Sequence, residues 1–520
     1  MVNMKKFIIL QLAGFGDTLS AITRLPAVKE KYPEYEIVFY LGGYGKSVDF
    51  SKEQLEREGY KANIIKNLNF HNQLPEIRKL IKDNFVSDGD IFEDWSFCDE
   101  IFRNEDPPFY KYEMKFPYNY KTNVETEKRD SETVVAIHPL TKSGNAEGFE
   151  SDVEKGRFWT RPEWKHLCIK LMSDGHKLAF VGHGDEDWGL IEELTNEGHK
   201  VLDKRMGVEE TISFLQTVDG GIFCNSWDWE VTSRAGIPTF CFYTKNFFFI
   251  QNHIPHGPSA IWDNCYIETR KSIPFYDTKS KEQTEKFIDS KSVYDKFNYI
   301  MKAKTRPIFD YDICMISYND SIHISKTLEN VIPYINNKLC VVDGGSTDLT
   351  VDIIKNEVPE EKLKFKEIAW DDKFDVQKNN SLELSEKMWV VWIDADETYE
   401  HLFWNQLFWY MAEATQTGSD CVSVSRINTY TDVEDISIVK KFAEDKGWEV
   451  NGFGWVNYPD FQQRVFRNNM RFEGSVHEVI KKCGLQMILY PVNCIHKKTL
   501  RKQIDSLKMY ENIERDIANV

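Results

Sequence analysis

The sequence predicts an α/β protein of about three lobes, and three observations carry that expectation. The chain has 520 residues, too many for one hydrophobic core. Its content, 41% hydrophobic with 14% aromatic, is ample for packed domains and argues against global disorder. In both halves an apolar run ends in a glycine- or acid-rich turn and a stretch of helical periodicity follows, as in open α/β sheets.

Taken in order, Lys6-Phe-Ile-Ile-Leu-Gln-Leu12 reads as a buried strand. It runs into the turn Ala13-Gly-Phe-Gly-Asp17, and Leu19, Ile22, Leu25 and Val28 then recur at helical spacing up to Lys31-Tyr-Pro33. The turn is not a dinucleotide fingerprint, because Gly14-x-Gly16 lacks the third glycine, and no Gly-Lys-Ser/Thr phosphate loop follows. The polar stretch Lys121 to Thr133 joins this lobe to a second one, opened by the strand Val134-Val-Ala-Ile-His-Pro139. Lys177-Leu-Ala-Phe-Val-Gly-His183 reads as a further strand and turn. The segment Ser272 to Lys304 is charged and poor in strand formers, with a helix expected at Val293–Met301, and Lys302-Ala-Lys-Thr-Arg-Pro307 is the expected linker between modules. The lobes are expected at residues 1–125, 126–303 and 308–496, with a tail helix at 497–520.

In the second half, Asp312-Ile-Cys-Met-Ile-Ser-Tyr-Asn319 and Leu339-Cys-Val-Val342 read as buried strands, the latter running into Asp343-Gly-Gly-Ser-Thr-Asp348. A third, Val390-Val-Trp-Ile393, runs directly into Asp394-Ala-Asp396-Glu397. In the extended stub after that strand Asp394 and Asp396 point to one side, and two hard oxygen ligands on one side suit Mg²⁺ or Mn²⁺ bound to a diphosphate. The plain alternative is a solvated turn. For the Asp343 turn the alternative is a tight turn and helix start capped by Ser346 or Asp348. Ligands of open α/β sheets lie at the carboxyl ends of strands, where Asn319, Asp343, Asp394 and Asp396 all fall.

These residues carry a resemblance. Ile316-Ser-Tyr-Asn319, Val342-Asp-Gly-Gly-Ser-Thr-Asp348, Trp370–Asp375 with Lys378-Asn379, Ile393–Glu397, and Gln463–Arg467 leading to Gly474-Ser-Val-His477-Glu478 resemble, in order, family 2 glycosyltransferases of the GT-A fold, in the branch with lipopolysaccharide-core and peptide glycosyltransferases. The resemblance implies a nucleotide-diphosphate sugar as donor. It also implies that Asp343 contacts the nucleoside, Asp394 the ribose or metal shell, and Asp396 the metal, with His477 as a third contact. Lys378, Arg464 and Arg467 are further candidate donors to the diphosphate, or ordinary surface cations. Such enzymes mostly invert the anomeric carbon with a carboxylate base; Asp460 is the first candidate and Glu478 the second.

The amino-terminal half, through the Gly14–Asp17 turn, Arg157-Phe-Trp-Thr-Arg-Pro-Glu-Trp164 and Asn225-Ser226-Trp-Asp-Trp-Glu230, resembles the heptosyltransferase-like family 9 of the GT-B fold, a pair of Rossmann-type lobes. That resemblance implies Asp17 as base, Arg157 as a phosphate contact, and Asn225 and Ser226 in the donor turn. The family's turn has an Asp, a Gly and a later His where this chain has Asn225, Trp227 and Glu230. This module is therefore read either as a second transferase or as a silent, acceptor-presenting unit, and Asp17 either as base or as helix cap.

Composition bounds the rest. The net charge of −18 disfavours broad gripping of nucleic acid or anionic lipid. No apolar run reaches the length of a membrane span, and a cytoplasmic protein is expected. Its ten cysteines lack Cys-x-x-Cys pairs and read as reduced core residues. The basic run His496-Lys-Lys-Thr-Leu-Arg-Lys502 opens a tail helix, Thr499 to Ala518, read as a docking helix with a solvated charged face. Expected acceptors are a surface glycan, a lipid-linked glycan or a peptide, with a modified nucleobase as an alternative; a non-catalytic sugar-binding scaffold is the competing class.

Overall fold

A computed structural model describes residues 4–12, 14–42, 46–65, 74–96, 112–124, 132–139, 159–224, 226–242, 260–269, 272–277, 279–303, 309–433, 435–451, 454–476, 478–481 and 483–518. The chain forms two compact units, one of Met1–Lys271 with Ile288–Arg306, the other of Ser272–Phe287 with Pro307–Val520.

The first unit holds two parallel sheets. One has the order β3-β2-β1-β4, from β1 (Lys6–Leu12), β2 (Glu36–Gly42), β3 (Lys61–Ile64) and β4 (Ile91–Asp94). Helix α1 (Phe15–Ile22) follows β1 directly. The other sheet has the order β10-β9-β8-β5-β6-β7, from β5 (Val134–His138), β6 (Lys177–Phe180), β7 (Val201–Asp203), β8 (Gly220–Phe223), β9 (Thr239–Phe242) and β10 (Cys265–Glu268). The strand order reverses between β5 and β8, where such sheets open their crevice. Helix α2 (Asp228–Arg234) follows β8.

The second unit is built on one mixed sheet, β12-β11-β22-β18-β19-β16-β13-β14-β15. Its parallel portion is β13 (Tyr311–Ser317), β14 (Leu339–Asp343), β15 (Leu363–Glu367) and β16 (Trp389–Trp392), with β14 and β16 flanking β13. β14 and β16 are buried along their whole length, as apolar runs covered on both faces must be. Antiparallel β19 (Val456–Arg467) joins β16. β18 (Cys421–Tyr430) and β22 (Leu485–Lys498) extend the sheet, and the short β17 (Glu397–Tyr399) pairs with β22.

One buried carboxylate locks the base of this sheet. Asp312 is fully buried yet accepts from Asn337 Nδ2 at 2.7 Å, Lys338 N at 3.0 Å, Ser385 Oγ at 2.9 Å, Glu386 N at 2.9 Å and Lys387 N at 3.2 Å. A buried charge persists only when satisfied in this way. It ties β13 to the segments entering β14 and β16, and so sets the height at which all three strands release their turns.

Two expectations need correction. The stretch from Ser272 is not poor in strand: β11 (Ser272–Asp277) and β12 (Glu282–Phe287) form a hairpin, and β11 pairs with β22. Every residue of β12 is exposed, so burial left no apolar signature to read. The expected boundary at 303 also leaves this hairpin with the amino-terminal module, whereas its hydrogen bonds attach it to the second unit. The helix expected near Val293 spans Ser290–Ala303.

Candidate functional site

The carboxyl ends of β13, β14 and β16 release three turns side by side. After β14, Asp343 is fully buried. Its Oδ1 accepts from Ser317 Oγ at 2.9 Å and Ser346 Oγ at 2.6 Å, its Oδ2 from the amides of Gly345 at 2.9 Å and Ser346 at 2.7 Å. Gly345 has φ +89°, a left-handed conformation that costs a side-chain-bearing residue energy. Asn319, itself at φ +53°, accepts from Thr347 N at 2.8 Å through Oδ1. These bonds fit the tight-turn reading, because they fix the loop's shape from inside.

The acidic turn is held differently. Asp394 Oδ1 accepts from Trp392 Nε1 at 2.9 Å and faces Lys378 Nζ at 3.6 Å, while Oδ2 accepts from Arg464 Nη2 at 3.0 Å. Arg464 also pairs with the fully buried Glu397. Burial works against the charged form of Asp394, but Lys378 and Arg464 outweigh it and hold the carboxyl well below the usual carboxylate range. Lys378 is buried over the rings of Trp392 and Phe472, each at 5.0 Å, and pairs with Glu478.

Asp396 meets a different set of cations. Its Oδ2 lies 3.2 Å from His496 Nε2 and accepts from Lys502 Nζ at 3.0 Å. The sheet register explains the histidine: β17 pairs Glu397 with His496, and β18 pairs Asn428 with His496. His496 Nδ1 then lies 3.0 Å from Asn428 Oδ1. Lys502 lies on helix α3 (Leu500–Ala518), whose first turn is fixed by Leu500 N donating to Asp432 at 2.7 Å and Lys502 N to Thr499 Oγ1 at 3.0 Å. Against burial, His496 and Lys502 hold Asp396 well below the usual range.

The structure thus brings Asn319, Asp343, Asp394, Asp396, Lys378, Arg464 and Glu478 to one edge of the sheet. Asp460 joins them through a chain of ion pairs. It accepts from Arg426 Nη2 at 2.7 Å, Asn428 at 3.1 Å and Gln462 at 2.7 Å, and Arg426 reaches Glu397 at 3.4 Å. Burial opposes ionisation of Asp460, yet Arg426 and these donors lower its pKa. Arg467 sits apart, over the ring of Trp389 at 3.9 Å. His477, Arg157 and Asn225 lie outside the described residues. The reading of the basic tail changes at one residue: Lys502, though partly exposed, is not merely solvated but pairs with Asp396 and, at 2.7 Å, with Asp320. Sequence reasoning missed His496, Lys502 and Arg426 as site residues. Only the basic run signalled the first two; strand register places His496, and the helix that follows carries Lys502.

In the first unit, Asp17 is not the N-cap: Gly14 holds that position, and Asp17, the third helical residue, accepts from Gly14 N through Oδ2 at 2.7 Å, while Ser226 lies in the turn between β8 and α2. Trp227 packs on Phe15 with ring centroids 5.4 Å apart. At the crevice between β5 and β8, buried His138 pairs with Asp228 and, at 3.3 Å, with Glu186. Burial alone would lower its pKa, but the two carboxylates raise it to about 10.

The SPbeta prophage-derived glycosyltransferase SunS of Bacillus subtilis is 28% identical over 166 residues, 32% of this chain and 33% of that protein. The match therefore spans about a third of the relative's length. Among solved structures, a glycosyl transferase family 9 protein from Veillonella parvula aligns with 58% of this chain and 99% of its own, at TM-score 0.38 and 11% identity. S. aureus TarS 1-349, in complex with UDP-GlcNAc, aligns with 36% of this chain and 58% of its own at TM-score 0.26 and 14% identity. The carboxy-terminal half resembles the glycosyl transferase family 2 proteins, whose family model matches residues 312–478, the stretch that carries both the Asp343 turn and the acidic turn at Asp394 and Asp396.

Proposed function

We propose that the second unit is a glycosyltransferase that moves a sugar from a nucleoside-diphosphate donor to an acceptor by inverting displacement. The observation that carries this reading is the acidic turn itself. Asp394 and Asp396 stand at the carboxyl edge beside the Asn319 and Asp343 turns, ringed by Lys378, Arg464, His496 and Lys502. Departure of a diphosphate leaves negative charge on oxygen, and preorganised cations stabilise it where water is scarce.

In the reaction, the acceptor's hydroxyl, thiol or amide attacks the anomeric carbon. A new bond forms to that carbon, the bond to the phosphate oxygen breaks, and its electron pair stays on the diphosphate. The acceptor's proton goes to a carboxylate. Glu478 is engaged by Lys378, whereas Asp460 Oδ1 carries one described bond, from Gln462. Asp460 is the base in this reading.

A hard divalent ion, Mn²⁺ or Mg²⁺, fits this edge through few protein donors. Both oxygens of Asp394 are engaged by Trp392, Lys378 and Arg464. Among the described residues no group of three His, Cys, Asp or Glu side chains comes together around an ion. Asp396, whose described bonds fall on Oδ2, remains as a donor, an arrangement that works when substrate phosphates complete the shell. The ion would add positive charge at the leaving group.

We assign the first unit a scaffolding or acceptor-holding role, because its crevice is occupied by the His138, Asp228 and Glu186 cluster. The acceptor is proposed to be a glycan, lipid-linked glycan or peptide; the chain's charge of −18 disfavours nucleic acid. No helix among the described residues is long and apolar enough to cross a membrane.

The test is release of nucleoside diphosphate from UDP-, GDP-, ADP- and dTDP-sugars, with Mn²⁺ and without. One donor should be hydrolysed, and Asp396→Ala should lower that release at least about a hundredfold while Asp17→Ala leaves it intact. The opposite pattern moves the chemistry to the first unit, and no release, even with candidate acceptors, favours the sugar-binding scaffold.

A further inference from the structure

The carboxy-terminal helix supplies more than a cover for the sheet. We propose that Lys502 is the residue that receives the donor's diphosphate: its ammonium, which bridges two carboxylates, turns to the phosphate oxygens when donor binds. The inference rests on the transferase reading above and names a residue acting on the leaving group.

Three features support it. Lys502 Nζ donates to Asp320 Oδ1 at 2.7 Å and to Asp396 Oδ2 at 3.0 Å. Asp320 follows β13 and Asp396 follows β16, so the ammonium spans the ends of two neighbouring strands, where ligands of open α/β sheets lie. An ammonium has three N–H donors, and these two bonds leave one for an incoming oxygen. Its side chain is 35% exposed, so solvent and a ligand can reach it.

The second feature is anchorage. Thr499 and Asp432 fix the start of α3, and farther along the helix Tyr510 packs on Phe374 with ring centroids 5.8 Å apart. The helix is thus seated on this edge at two points, and the lysine's backbone does not have to move. Its four-carbon stem can carry the charge from carboxylate to phosphate by rotamer change alone.

The third is charge balance. Asp394 is neutralised by Lys378 and Arg464, and Arg464 is simultaneously bound to buried Glu397. Those cations stay on protein carboxylates and act on the diphosphate through the field of the site. Lys502 is different, because the same Asp396 oxygen has His496 at 3.2 Å, so the carboxylate keeps a partner when the ammonium leaves.

In the transfer step Lys502 exchanges no proton with the substrate. The electron pair of the breaking bond between anomeric carbon and oxygen remains on the diphosphate, and the ammonium stabilises that charge.

The experiment uses the full chain and compares wild type with Lys502→Met and Lys502→Arg. Calorimetry measures binding of UDP, GDP, ADP and dTDP, each beside its nucleoside, with and without Mn²⁺. Lys502→Met should weaken the cognate nucleoside diphosphate at least tenfold without changing nucleoside affinity, and should lower kcat of donor cleavage. Lys502→Arg should restore diphosphate binding to within about threefold of wild type. A thermal melt keeps loss of fold apart from loss of binding: should Lys502→Met not fold, the inference is judged on Lys502→Gln. Equal or tighter diphosphate binding by the neutral variants, or an equal loss for nucleoside and diphosphate, overturns it. If wild type binds no nucleoside diphosphate, it is the transferase reading that fails.

Discussion

Arg464 gives the clearest test of what holds the acidic turn in place. Its side chain is 3% exposed, and Nη2 serves both Asp394, at 3.0 Å, and Glu397. Arg464→Met keeps much of the stem and removes the charge. Asp394 then retains Trp392 Nε1 at 2.9 Å and Lys378 at 3.6 Å, and at 26% exposure it can also recruit water. Glu397 cannot, being fully buried. It keeps Arg426 at 3.4 Å and the Asp394 amide at 3.2 Å. Removing one partner of a buried ion pair costs about 3–5 kcal/mol. Because Glu397 keeps a second cation, the lower end applies, about 3 kcal/mol. For a unit of this size each kcal/mol moves the melting temperature by about 2–4 °C, so the second unit should melt about 6–12 °C lower. Scanning calorimetry and urea unfolding would be run on Arg464→Met, Glu397→Gln and the double variant. The double should be at least about 1 kcal/mol more stable than the two single losses added together, because Glu397→Gln removes the charge that the lost arginine strands. A single-variant loss under about 1 kcal/mol, or strict additivity, refutes the reasoning.

Three further outcomes are expected. His138 has a folded pKa of about 10, raised against burial by Asp228 and Glu186. Its stabilising contribution is full below the unfolded value of about 6.5 and is lost as pH rises through about 10. The melting temperature of the first unit should fall across that window, and His138→Gln should flatten the slope; an equally steep slope in the variant contradicts the assignment. Gly182 has φ +111°, and a Cβ there would meet His138 Nε2 at 2.6 Å, so Gly182→Ala should cost about 1–3 kcal/mol in urea unfolding; an unchanged midpoint would mean the turn relaxes freely. Asp17 accepts the Gly14 amide at 2.7 Å, so Asp17→Ala should lose about 1 kcal/mol of stability and none of the donor cleavage; lost cleavage in a folded variant would make Asp17 catalytic.

How much of this was legible depended on whether a residue announces itself locally. The strands at Lys6, Val134, Leu339 and Val390 were readable because parallel strands buried on both faces are written as continuous apolar runs. β1 spans Lys6–Leu12 as expected, and Asp394 and Asp396 follow β16 directly. The hairpin Ser272–Phe287 was not readable, since its outer strand is exposed throughout and so carries no apolar pattern. The site divides along the same line. Asn319, Asp343, Asp394 and Asp396 each sit at the end of a recognisable strand, so their location could be inferred one strand at a time. Their partners could not. Lys502 lies 106 residues from Asp396, and its place follows from β22 pairing with both β17 and β18.

That pairing has a consequence for how the site tolerates change. A one-residue slip of β22 would turn His496 to the other face of the sheet and shift the start of α3 with it. Asp396 would then lose both of its described cations in one step. The long register from Cys421↔Gln486 to Tyr430↔Lys498 guards against that slip. Substitutions along β18 and β22 that loosen the register should therefore impair the acidic turn even where they touch no ligand. Buried Ser425 is one such position: its hydroxyl lies 2.9 Å from Val492 O and 2.6 Å from Asn493 Oδ1, its one proton serving either acceptor, at the irregularity in the ladder between Val424 and Ser425. Ser425→Ala removes that donor while Asn493 Oδ1 keeps Tyr458 Oη at 2.9 Å, and should cost about 0.5–1.5 kcal/mol. It should also weaken diphosphate binding, while Ser423→Ala, which breaks one partly buried bond to Gln486, should not. Equal behaviour of the two variants in the binding assay would show that register at Ser425 does not govern the position of His496 and Lys502.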